Sequence, residues 1–117
     1  MNSSRARAIC AGNEGVVILE AALLQVREGA EAGFEEAMVK AAPAIAGSPG
    51  YIGHELQRCV ETKGRYLLLV RWETVEAHTV GFRQSSAFVE WRTLIGPFFE
   101  APPMVEHYEG ALMWPRS

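Results

Sequence analysis

The stretch RYLLLVRWETVEAH, Arg65 to His78, sets a tryptophan between an arginine and a glutamate and a histidine six residues beyond it. An imidazole with an ordinary pKa of about 6.5 is largely neutral at pH 7 and suits a general base. The Trp72 indole can donate its N–H to a substrate oxygen while its ring stacks on the substrate. Arg83 and Arg92 follow closely, and either can stabilise a developing negative charge. His54 and His107 lie on neighbouring strand patterns, so which of His54, His78 and His107 acts as base stays open. Plain structural roles compete with all of these. A buried tryptophan is usually a core residue with one hydrogen-bond partner. A histidine on a short surface helix is more often solvated than catalytic, and His54 and His107 suit a subunit interface equally well.

Other catalytic patterns are missing. GSPG does not open a helix after a strand, so no glycine loop cradles phosphate. There is no nucleophile elbow and no HExxH, and three scattered histidines without i, i+4 pairing make a poor metal site. Cys10 and Cys59 stand alone, which disfavours a disulfide scaffold or zinc.

The 117 residues suffice for one domain with a real core, and 49% hydrophobic with 21% charged residues is an ordinary globular balance. A net charge of −3 without any basic run argues against nucleic acid. Val16 to Leu24 is too short to span a bilayer and contains Glu20, and the first residues lack the apolar segment of a secretory signal. No membrane association is expected, and the cytoplasm is the default address.

The elements that must position these residues follow from periodicity. Residues 1–15 read as a mobile arm, residues 16–109 as the folded domain and residues 110–117 as a tail. VVILEAALLQVR, rich in branched residues at both parities, predicts a strand buried on both faces. Phe34, Ala37, Met38, Ala41 and Ile45 recur at helical spacing, with Pro43 expected to kink or end that helix. Tyr51 to Val60 and Arg65 to Trp72 form an antiparallel hairpin about ETKG, with Gly64 available for positive φ. Thr74 caps a short helix that Gly81 weakens, Ser85 or Ser86 caps AFVEWRTLI, and MVEHYEG is a last strand. The order βαββαβ is the ferredoxin-like α+β pattern, with helices on one face of a four-stranded antiparallel sheet. Leu67 and Leu69, opposite in parity to Leu68 and Val70, leave the second face apolar. A second copy is the economical cover, so a homodimer is expected. The same reasoning docks the apolar tail, with Trp114, on the partner.

SPGYIGHELQR, RYLLLVRWETVEAHTVGFRQSSAFVEWR and GPFFEAPPMVEHYE resemble the antibiotic biosynthesis monooxygenase family of dimeric α/β barrels, over roughly Val16 to Glu109. The resemblance implies a pocket between sheet and helices. In several members it implies oxidation of aromatic polyketides by O2 without a cofactor. The matching strand tryptophan is Trp72. The family's substrate-binding asparagine, four residues earlier, is here Leu68, and a tyrosine six residues after the tryptophan is here His78. A haem-degrading branch uses a strand-one asparagine, a helix tryptophan and a helix histidine. The first is absent here and the others fall on Gly81 and Trp91, so haem degradation is disfavoured.

An electron-rich phenol, anthrone or quinol reacts with O2 once deprotonated, which needs an apolar cavity, a base and oxyanion donors. Trp72 and His78 are the expected catalytic residues. Tyr66, Leu68, Phe34, Met38, Phe82, Arg83, Phe88 and Phe98 are the expected substrate-binding residues, with no cofactor and no metal. A non-catalytic small-molecule sensor and an isomerase-like member are the alternatives, and Leu68 favours them slightly.

Overall fold

A computed structural model describes residues 16–115, so the N-terminal arm with Cys10 lies outside the described residues. The described elements run β1 (Ile18–Gln25), α1 (Glu31–Ala46), β2 (Tyr51–Arg58), β3 (Arg65–Trp72), a π-helical segment (Ala77–Phe82), α2 (Ser86–Ile95) and β4 (Met104–Glu109). A single 3-10 turn, Gly96–Phe98, follows α2. The strands form one antiparallel sheet in the order β2-β3-β1-β4, the ferredoxin-like arrangement.

Alternation decides what each strand contributes. Ile18, Glu20, Ala22 and Leu24 of β1 sit opposite Trp72, Val70, Leu68 and Tyr66 of β3, and all eight are buried beneath the helices. The helical layer supplies Phe34, Met38, Ala41 and Ile45 from α1 and Trp91 and Ile95 from α2. Burying each large side chain stabilises the fold by about 1.5–3 kcal/mol. The opposite sheet face carries Leu19, Leu23, Leu67, Leu69, Met104 and Tyr108, all half-buried or exposed. Among the described residues of one chain, strand one is therefore enclosed on one face only.

Pro43 does not end α1, which continues to Ala46. The amide it lacks would have served the carbonyl of Val39, an exposed residue, so water can satisfy that group. Strand β2 ends at Arg58 rather than Val60. The Thr62 amide bonds Cys59 Sγ (3.3 Å) and turns the chain back. Gly64 takes φ +79° there, with an added Cβ landing 2.9 Å from the Val26 carbonyl oxygen.

A bulge between Tyr51 and Gly53 breaks the alternation of β2, so Tyr51 and His54 both lie on the helix side. Thr74 Oγ1 accepts from the Ala77 amide (3.0 Å), and the next turn widens, the Arg83 amide reaching the His78 carbonyl at 2.9 Å. Ser85 Oγ accepts from Phe88 N–H (3.3 Å) and opens α2.

Candidate functional site

The chemistry gathers where β1, β3, β4 and the π-helical segment meet. Glu20 is 6% exposed and is the one charged residue of β1. Trp72 lies diagonally across the β1–β3 pairing and donates its indole N–H to Glu20 Oε1 at 2.9 Å. His78 Nε2 stands 3.4 Å from the same oxygen, and His78 Nδ1 is 2.8 Å from Nε2 of His107, which pairs with Glu20 across β1–β4. The His78 ring stacks on Trp72 (centroids 5.3 Å apart, planes at 19°), with Phe82 near both rings. The wide π turn presents His78 and Phe82 to the same inward face. Among the described residues none donates a hydrogen bond to Glu20 Oε2.

Burial governs the proton affinities. His78 is held down to about 4, first by desolvation and then by the charges of Arg83 and His107, so it is neutral at pH 7. The Glu20–His78 contact is therefore not an ion pair near neutrality. Desolvation lifts the Glu20 carboxyl above its usual range, opposed by the Trp72 hydrogen bond and by Arg83. His107 is lowered by burial and then by Arg83. A neutral His78 carrying its proton on Nε2 faces it to Glu20 Oε1 and leaves Nδ1 to accept from His107 Nε2–H, whereas the other tautomer reverses the His78–His107 bond. A carboxylate, two imidazoles and an indole thus form one connected polar cluster in an apolar setting.

Beside this cluster lies a cavity of about 740 Å³ between the sheet and the helical layer. Glu20 and His78 form its polar pole. Ala22, Leu24, Leu68 and Val105 supply the sheet wall, and Phe82, Phe88 and Trp91 the helical wall. Arg83, Arg92 and Glu100 also border it, and Phe99 and three prolines of residues 97–103 complete it. Among the described residues no group of three His, Cys, Asp or Glu side chains could hold a metal ion.

The profile of the antibiotic biosynthesis monooxygenase family matches residues 17–94, two thirds of the chain. The chain belongs to that family. It is 50% identical over 93 residues to the uncharacterized protein YczJ of Bacillus subtilis (strain 168), covering 80% of this chain and 98% of YczJ. A crystal structure of a family protein from Bordetella bronchiseptica superposes with TM-score 0.80 at 44% identity, covering 82% of this chain and 98% of that one. A point mutant of SnoaB, a cofactor-independent oxygenase from Streptomyces nogalater, shares the fold at TM-score 0.71 and 19% identity, covering 86% and 98% of the two chains.

Within this family member the residues singled out from sequence divide into two groups. Leu68, His78, Phe82, Arg83 and Phe88 converge on the cavity. Trp72 does not line it: the residue is 0% exposed, enclosed by Tyr51, His78 and Phe82, and it stands behind the lining residues Glu20, His78 and Phe82. Phe34, Met38, Tyr66 and Phe98 lie elsewhere. The hydroxyl of Tyr66 donates to Glu35 Oε2 (2.7 Å), and Phe34 packs on Tyr66 and Phe98 to close the far end of the core. The 3-10 turn sends Phe98 toward Gly33 and brings its neighbour Phe99 to the wall instead. His54 is taken by the Tyr51 hydroxyl at 2.5 Å and is absent from the lining. His78 is buried rather than solvated, because the π turn rolls it inward.

Sequence reasoning passed over Glu20, although the signal was present. A single carboxylate inside a strand hydrophobic at both parities must find partners or shift its pKa.

Proposed function

We propose that this family member is a cofactor-independent monooxygenase acting on a small electron-rich aromatic or quinol-like compound with O2. The observation that carries the reading is Glu20: a buried carboxylate of raised proton affinity, one oxygen fixed by Trp72, on the wall of a largely apolar cavity. Glu20 Oε2 takes a proton from a ring methylene or hydroxyl of the substrate. The carbanion gives an electron to O2, the two radicals join in a C–O bond, and the hydroperoxide loses water to leave a carbonyl. One oxygen atom enters the product, and the other leaves as water with the two substrate hydrogens. Arg83 favours the anion electrostatically, protonated Glu20 returns its proton to the peroxide anion, His78 and His107 buttress the carboxylate, and Trp72 positions Glu20 rather than touching substrate. The working unit is a homodimer in the cytoplasm, its apolar sheet faces packed together.

Oxygen uptake with a panel of anthrones and hydroquinones tests this. Glu20→Gln should lower turnover about 10²–10⁴-fold, as loss of a general base does. Trp72→Phe removes a hydrogen bond that favours ionised Glu20, so the acid limb of kcat/KM should move to higher pH. Undiminished uptake in Glu20→Gln would discard Glu20 as the base. Leu68 favours a second reading, since it puts no amide on the wall for a substrate oxygen. Binding of the panel without any uptake would support that reading, a non-catalytic sensor or a relative that does not use O2.

A further inference from the structure

Two guanidiniums border the cavity beside the aromatic wall that the reaction proposed above does not fully use. Arg83, just past the π-helical segment, and Arg92, on α2, place their guanidinium carbons 5.8 and 5.5 Å from the centre of the Phe88 ring. Both border the cavity and both are exposed to solvent. Among the described residues neither makes a salt bridge, whereas Arg58 and Arg71 pair with Glu35 and Glu55. Stacking on one ring orients both cations without neutralising them. The lining carboxylates are Glu20, in the buried pole, and Glu100, which is exposed, and neither forms a salt bridge with Arg83 or Arg92.

We infer that the natural ligand carries an anionic oxyacid group, a carboxylate or phosphate, on an aromatic or otherwise apolar body, with Arg83 and Arg92 holding that group. The inference rests on the site reading above and orients the ligand within it. The apolar body lies along Leu68, Phe82 and Phe88, and the reacting end faces Glu20. The reverse orientation would set the ligand's anion against the Glu20 carboxylate in a water-poor pole. The guanidinium fork matches carboxylate and phosphate oxygens alike.

Calorimetric binding of naphthol, naphthoate and naphthyl phosphate to the full chain, at low and high salt, tests the inference without any turnover. At low salt one or both anions should bind about tenfold or more tightly than naphthol, as a charge-assisted contact gives. The stronger anion identifies the oxyacid. The double variant Arg83→Gln/Arg92→Gln should abolish the preference, the anions then binding no better than naphthol. If that variant fails to fold, high salt on the wild type serves, since it should weaken the anions and spare naphthol. Equal affinities, no binding of either anion, or a preference that survives the double substitution would overturn the inference. Anion preference without oxygen uptake keeps it and removes the oxygenase reading. Uptake confined to neutral aromatics, with no anion preference, does the opposite.

Discussion

His78 is where one residue reports on folding and chemistry together. Its proton affinity is depressed to about 4 against an ordinary 6.5, so between these values the unfolded chain binds the proton that the folded chain refuses. Stability contributed by neutral His78 is complete above the unfolded value and is lost as pH falls from about 6.5 toward about 4. His54 and His107, also lowered, act in the same sense, while raised Glu20 opposes them over the carboxylate range. The urea midpoint of the wild type should therefore fall across that window, and His78→Phe should flatten the fall. An unchanged slope in the variant would show that the imidazole is not held neutral by the fold. His78 could be picked out as a candidate from its place after Trp72. That it is buried depended on the π turn, which residue types alone did not announce.

At the scale of elements, the site depends on how the π-helical segment seats against the start of β2. Gly50 takes φ +87°, and a Cβ added there would lie 2.6 Å from the Cβ of Ala77, the first residue of that segment. Gly50→Ala combines left-handed strain of about 1–3 kcal/mol with a clash that pushes the segment off the sheet. The expected result is a lowered urea midpoint and weaker ligand binding. Gly47→Ala, with φ −84° and a built Cβ at an ordinary 3.5 Å from the Pro43 carbonyl oxygen, should be nearly neutral. If both behave alike, Gly50 is not the seat. Element order, helix faces and hairpin were readable because burial imposes periods of two and of 3.6 on the apolar residues. The Tyr51/Gly53 bulge escaped, because a one-residue slip leaves little compositional trace.

For the whole molecule, the uncovered sheet face sets the remaining expectation. Leu19, Leu23, Leu67, Leu69 and Met104 form an apolar surface that no described element of the chain covers. No described helix is long and apolar enough to cross a membrane. Sedimentation at micromolar concentration should give a dimer, and Leu69→Lys should give a folded monomer with unchanged far-UV dichroism. A wild-type monomer would remove the second copy as the cover.

The sequence by itself determined the ferredoxin-like order, the family and a few residues of the cavity wall, because these follow from local periodicity and from motifs continuous along the chain. Only the tertiary structure decided that Glu20 is the acidic centre, that Trp72 braces it from solid packing, and that His78 and His107 connect. Those relations join β1, β3, β4 and the π-helical segment, which lie up to 87 positions apart in the chain, as Glu20 and His107 do. A desolvated carboxylate takes its chemistry from whatever the fold brings within hydrogen-bonding distance.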